Sequence, residues 1–256
     1  MKKEYILFID SGMGGLSTLS IAYKNLPTNY IYYADTKNAP YGNHSRKEIF
    51  KFVKKIVDDM KNRFNILVVV LACNTATTSA IEQLRKTFKA IKFIGTEPAL
   101  KLAYNQGYKR ILMVATPTTI KQKKYKHLES SLNVYIENLA LKTFASSIEK
   151  FLLSKSIFAY FVMQKNIYQI AKKSRSSDCL ILGCTHYVLA RRQIKKIIKK
   201  PALDGNFGVF KQVCFWHAKT FSSKQTKSRV KFVISGNEKG SQEIYKKIFY
   251  EILAKV

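Results

Sequence analysis

Short apolar, β-branched runs alternate along this chain with segments of helical period. Tyr5–Ile9, Tyr30–Ala34, Ile66–Leu71, Ile91–Ile94, Arg110–Ala115, Cys179–Leu182 and Lys231–Ile234 read as strands, and Val134–Ile136 as a shorter one. Helical patterns cover Leu16–Asn25, Ala80–Phe88, Ser146–Lys173, Leu189–Ile198 and Gln242–Ala254. The clearest is Arg46–Arg63, where Ile49, Phe50, Val53, Ile56, Val57 and Met60 share one face. Strands alternating with helices predict an α/β protein with parallel sheets and helices on both faces.

Two strand ends carry the chemistry. One reads Ile66-Leu-Val-Val-Val-Leu-Ala-Cys73-Asn74-Thr75, the other Cys179-Leu-Ile-Leu-Gly-Cys184-Thr185-His186. Each apolar run ends in a small residue, then Cys, then hydrogen-bonding side chains, then a helical stretch. Their separation is too great for one motif but suits two domains of similar plan. Open parallel sheets bind ligands beyond the carboxyl ends of their strands. Two thiols at two such ends, facing one cleft, suit a reaction needing an acid on one side of a carbon and a base on the other. Turn residues at Gly95–Pro98 and Pro201–Gly208 mark crossovers. They predict a first domain of residues 1–97 with a returning 208–256, and a second of 98–207. Phe221–Arg229 is polar and basic and reads as a loop.

The chain is long enough for one large domain or two of about 130 residues, and 46% hydrophobic residues suffice for real cores. The run Ile66–Cys73 is far shorter than the roughly 18 residues a membrane span needs. The start at Met1 resembles a leader only briefly, because Asp10 ends its apolar stretch. The four cysteines, Cys73, Cys179, Cys184 and Cys214, show no CxxC and no secreted-domain spacing, so free thiols in a reducing cytoplasm are expected. The net charge of +29 would ordinarily point to nucleic acid or an anionic membrane. Only 8 of the 45 basic residues are Arg, the preferred reader of phosphates, and the lysines are spread along the whole chain. A solvated surface is therefore favoured over nucleic-acid binding, which stays as the second reading, and no membrane partner is expected.

Other motifs gain meaning from their places. Asp10-Ser11-Gly12-Met13-Gly14-Gly15-Leu16-Ser17 turns a strand into a helix, where glycines let backbone approach a ligand and helix N–H groups face an anion. It does not meet the dinucleotide pattern GxGxxG. Pro40-Tyr41-Gly42 is a turn, or a set of donors for a carboxylate. Thr116-Pro117-Thr118-Thr119 either caps a helix or holds a carboxylate. Glu149 on a helical stretch reads as surface when taken alone, and Asp10 at an apolar strand end would be costly unpaired. A phosphatase loop would place Arg six residues after its Cys, but Ser79 and Ala190 stand there. Cys184 and His186 lack a second close ligand pair, so no metal site is expected.

Together, in order, these motifs resemble the glutamate racemases. The pieces are Asp10–Ser17, Tyr33-Ala34-Asp35, Pro40–Gly42, Cys73–Thr75, Glu97-Pro98, Thr116–Thr119, Ile148-Glu149 and Leu182–His186. The resemblance implies two pseudo-symmetric α/β domains with the active site in the cleft between them. It implies a cofactor-independent isomerase without pyridoxal phosphate or metal, interconverting L- and D-glutamate for peptidoglycan. By matching position, Cys73 exchanges a proton with D-glutamate and Cys184 with L-glutamate. Asp10 assists Cys73; His186 and Glu149 assist Cys184. Ser11, Pro40, Tyr41, Gly42, Asn74, Thr75, Thr116, Thr119 and Thr185 hold the substrate, and a homodimer is compatible with the family. Gln122, Val188 and Gly205 depart from the family's usual residues without removing a catalytic group.

Overall fold

The computed structural model of the chain describes residues 3–222, 225–236 and 240–255. Met1 and Lys2 of the leader-like start, and Ser223 and Lys224 of the basic loop, lie outside the described residues. From the N-terminus the elements run β1 (Glu4–Asp10), α1 (Leu16–Asn25), β2 (Asn29–Ala34), α2 (Arg46–Arg63), β3 (Asn65–Leu71), α3 (Asn74–Thr87), β4 (Lys92–Gly95), α4 (Leu100–Asn105) and β5 (Arg110–Ala115). They continue as α5 (Pro117–Lys121), α6 (Lys123–Ser130), β6 (Tyr135–Ala140), α7 (Phe144–Ser154), α8 (Ile157–Lys173), β7 (Cys179–Leu182) and α9 (Thr185–Leu189). The last are α10 (Arg191–Ile197), β8 (Ala202–Leu203), α11 (Asn206–Thr220), β9 (Arg229–Ile234) and α12 (Ser241–Leu253).

The chain divides into two units, Met1–Thr96 with Asn206–Val256, and Glu97–Gly205. The first holds a parallel sheet ordered β4-β3-β1-β2-β9; the second holds one ordered β6-β5-β7-β8. Read from opposite edges, the orders β4-β3-β1-β2 and β8-β7-β5-β6 coincide. Strand β1 thus corresponds to β5, β2 to β6, β3 to β7 and β4 to β8, with β9 an added edge.

Strand β1 is buried at every position, as expected where helices cover both faces of a parallel sheet. Tyr5, Leu7 and Ile9 join Ile31, Val69 and Leu71 in one core with Ile49, Val53 and Ile56 of α2 and Ala80 and Leu84 of α3. Phe8 alternates to the opposite face and packs edge-on against Tyr30, while Tyr32 meets Tyr245 of α12. Each fully buried side chain of this size contributes about 1.5–3 kcal/mol. Helix α2 starts firmly: Ser45 accepts from the Glu48 N–H, and Glu48 reaches back to the Ser45 N–H. In the second unit Leu112, Val114, Leu180 and Leu182 pack with α7, α8 and α10, whereas Ile111, Met113, Cys179 and Ile181 face α4 and α6.

Several elements differ from the sequence pattern. The helix read across Ser146–Lys173 is two helices. Lys155 turns left-handed at φ 55°, and Ser156 caps α8 by accepting from the Ala159 N–H. The apolar period carries on past this turn and conceals it. The helices after the two cysteines begin at once, at Asn74 and Thr185, and not at Ala80 and Leu189; the second breaks at Ala190. The strand read as Val134–Ile136 runs on to Ala140. Helix α11 escapes the pattern because its apolar residues go round it, Val209 and Val213 buried but Phe207 and Phe215 exposed. Among the described residues no helix is long and apolar enough to cross a membrane.

Candidate active site

The candidate residues fall into two groups, one in each unit. In the first, β1 and β3 lie side by side, and the Ala72 N–H donates to the Ile9 carbonyl at 2.9 Å. This sets the ends of the two strands level. Cys73 follows as the N-cap of α3 and is buried. The Ser11 hydroxyl donates to its Sγ at 3.8 Å. Asp10 is wholly buried and accepts from the Gly12 N–H at 2.9 Å, which folds the glycine turn back over the strand end. Gly15 lets this happen: a Cβ there would sit 2.7 Å from that of Ala72.

Tyr41 enters the same neighbourhood from the turn after β2. Its hydroxyl donates to Asp35 at 2.8 Å. Burial first, then the charge and hydrogen bond of Asp35 and the nearby Cys73 and Asp10, raise this phenol well above its ordinary value. It stays protonated and donates. Asp35 also accepts from Asn38 and from Ser235, beyond the end of β9. Pro40 and Gly42, either side of Tyr41, are exposed. Asn74 and Thr75 open α3 and are buried, and Asn74 Oδ1 has no hydrogen-bond partner among the described residues. A buried amide oxygen left so costs about 1–3 kcal/mol, which a ligand donor would recover.

The second group repeats the strand geometry. The Gly183 N–H donates to the Val114 carbonyl at 2.8 Å, as Ala72 does to Ile9. The Leu141 N–H donates to the Ala115 carbonyl, as Asp35 does to Asp10, both at 2.9 Å. By this register Cys184 stands where Cys73 does, Thr116 where Ser11 does, and Ala115 where Asp10 does. A Cβ on Gly183 would come within 3.0 Å of Ala115 Cβ, so glycine precedes the cysteine for lack of room. Thr116 caps α5 by accepting from the Thr119 N–H, and their hydroxyls lie 3.0 Å apart.

The carboxylate of the second group arrives by another route. His186 is buried in the first turn of α9, with Nε2 2.5 Å from Glu149 Oε2 of α7. Burial alone would lower the imidazole. The Glu149 charge, with hydrogen bonds to Cys184 and Glu149, overcomes it and raises the group well above its ordinary value. The surroundings thus favour the protonated ring, which Glu149 and the Cys184 thiol both hydrogen-bond. Glu149, which reads as surface when taken alone, is thus partly buried against His186. Thr185 is buried, and the Tyr187 hydroxyl anchors the segment by donating to the Leu141 carbonyl at 3.0 Å.

The remaining cysteines behave differently. Burial first, then the charge of Asp178, pushes Cys179 up to about 11, and burial raises Cys214 in α11. All four cysteines are free thiols. Among the described residues no group of three or more His, Cys, Asp or Glu side chains is arranged to hold a metal ion. Asp35 belongs to the Tyr33-Ala34-Asp35 motif without a role assigned to it there; a carboxylate one residue beyond an apolar strand is the signal that marks it.

Two thiols thus stand at register-equivalent ends of two parallel sheets, each at the start of a helix. The chain belongs to the Asp/Glu/hydantoin racemase family, which it matches over residues 19–208. It is 37% identical over 220 residues to a glutamate racemase of Clostridium botulinum (strain Alaska E43 / Type E3), covering 83% of each chain. Glutamate racemase 2 of Bacillus subtilis (strain 168) is 34% identical over 258 residues, 96% of this chain and 95% of that one. A crystal structure of glutamate racemase from Campylobacter jejuni subsp. jejuni superposes with a TM-score of 0.74 at 28% identity, covering 98% of both chains.

Proposed function

We propose that this protein is a glutamate racemase that interconverts L- and D-glutamate with Cys73 and Cys184 as its two acid–base groups. It needs no pyridoxal phosphate or metal, acts in the cytoplasm, and supplies D-glutamate for peptidoglycan. The observation that carries this reading is the shared register of Cys73 and Cys184, each two residues beyond the end of its strand, β3 or β7.

The α-hydrogen of an amino acid is very weakly acidic, and its removal builds charge on the carbon and its carboxylate. Positioned hydroxyl and backbone donors stabilise that charge where no cofactor takes it up. One thiolate removes the proton and the opposite thiol delivers another to the other face. The roles exchange for the reverse direction. Asp10 assists Cys73 in the exchange with D-glutamate. His186, held by Glu149, assists Cys184 in the exchange with L-glutamate. Asn74 Oδ1 accepts from the substrate ammonium, which satisfies the buried oxygen. Ser11, Thr75, Thr116, Thr119, Thr185 and the Pro40-Tyr41-Gly42 turn hold the carboxylates.

The test is direct. Purified protein incubated with L-glutamate in heavy water, without added cofactor, is expected to yield D-glutamate carrying deuterium at the α-carbon. Activity lost on dialysis and restored by pyridoxal phosphate would overturn the mechanism. Preference for aspartate across a substrate panel would overturn the substrate.

A further inference from the structure

The second unit carries an apolar surface that the active-site chemistry does not use. Helices α7 and α8 form a hairpin joined by Lys155 and Ser156 alone. At its tip Ile157, Phe158 and Phe161 are 67%, 75% and 64% exposed, with Leu153 beside them. Tyr168, 68% exposed, continues the stripe two turns on, since 157, 161, 165 and 168 follow one side of α8. Single exposed apolar residues are ordinary; a clustered set this open marks a contact surface. The tip is preformed. The Lys155 N–H donates to the Phe151 carbonyl, Ser156 caps α8, and Phe151 and Tyr160 pack 5.6 Å apart behind it.

The charge around the tip selects the partner. Residues 150–165, which include the turn and the helix ends beside it, hold three lysines, Lys150, Lys155 and Lys165, and no carboxylate. A second copy of this chain would set lysines against lysines, an unfavourable pairing. An anionic surface with an apolar interior suits both features. Lysines lie at its charged face while aromatic and aliphatic side chains enter the acyl boundary. We propose that the α7–α8 tip is a docking wedge for an anionic lipid bilayer. Each lysine near such a surface strengthens binding roughly fivefold. The aromatic pair fixes which face of the protein meets the lipid.

Flotation of the full chain with vesicles tests this at physiological salt. Vesicles of phosphatidylglycerol and phosphatidylcholine in equal parts are compared with phosphatidylcholine alone. Wild type is expected to bind the anionic vesicles only. Phe158→Gln/Phe161→Gln, which keeps the net charge, is expected to weaken binding by about tenfold or more while circular dichroism and racemisation stay unchanged. Lys155→Glu/Lys165→Glu is expected to weaken it more than Lys86→Glu/Lys89→Glu, an equal charge change on α3 and the turn after it. No wild-type binding overturns the proposal. Binding indifferent to the aromatic pair, or weakened equally by both lysine pairs, overturns it as diffuse attraction of a basic protein. Self-association abolished by the aromatic pair, without vesicle binding, assigns the tip to a second copy and also overturns it.

Discussion

The two groups of candidate residues share a backbone register and differ in how they place a carboxylate. At the end of β1 the carboxylate is built into the strand, as Asp10. At the equivalent point of β5 stands Ala115, and the second half-site brings its carboxylate from helix α7, through the His186 imidazole. The first group therefore holds a fully buried carboxylate fixed in a strand. The second holds a His–carboxylate pair whose position depends on packing between α7 and α9. Duplication of a fold preserves register faithfully, because register is fixed by ladder hydrogen bonds. It leaves side-chain chemistry free to diverge.

The largest expected effect removes what the halves share. Cys73→Ala and Cys184→Ala are each expected to lower racemisation by about 10³-fold or more, because inversion needs a group on both faces. Cys179→Ala and Cys214→Ala are expected to remain active. A D-glutamate assay on all four variants decides this, and a Cys184→Ala enzyme near wild-type rate would sink the pairing of the halves.

Next come the groups in which the halves differ. Asp10→Asn and His186→Asn are each expected to slow turnover by about 10²-fold. Enantiomers have equal free energy, so kcat/KM must remain equal in the two directions in every variant. Any asymmetry between the half-sites has to appear in kcat and KM separately. Parallel changes in both parameters for both variants would show that the halves are chemically equivalent despite their different residues.

A gentler test separates Glu149 from His186. Because its folded value is raised, the imidazolium contributes stability that is complete below the ordinary histidine value and lost as pH rises through the raised one. Wild type is thus expected to lose stability on the alkaline side of neutrality. Glu149→Gln is expected to shift that loss to lower pH, and an NMR titration of His186 should move down with it. An unchanged titration would remove Glu149 from the pair.

Asn74→Ala should raise KM several-fold with little loss of unliganded stability, since Asn74 Oδ1 has no partner to lose. Thermal melts and initial rates separate the two outcomes. The smallest effect lies outside both sites: Lys155→Gly relieves a left-handed backbone and should stabilise the protein by about 0.5–1 kcal/mol, as read from denaturant midpoints.

Much of this was legible before any coordinates. The strand ends announced themselves because an apolar run followed by a small residue and Cys is a local signal, and it occurs twice. The strand–helix alternation likewise led to two parallel sheets. What escaped depends on distant partners. Glu149 meets His186 only once α7 has packed beside α9, and nothing local distinguishes it from a surface glutamate. Asp35 is held partly by Ser235, 200 positions away. The α7–α8 turn escaped because its residues do not interrupt the apolar period, and α11 because its apolar residues do not form one stripe.

The edge strand β9 has a consequence for how the molecule is made. It pairs with β2 from Asn29↔Arg229 to Ala34↔Ile234, yet a ribosome delivers it after all of Glu97–Gly205. The second unit is contiguous and can close its core while the first still shows an open β2 edge to its surroundings. An open strand edge is an invitation to wrong partners. Newly made chains thus pass through an interval in which the N-terminal half depends on chaperones or on speed, and variants that slow translation between residues 100 and 230 should aggregate more than their equilibrium stability would suggest.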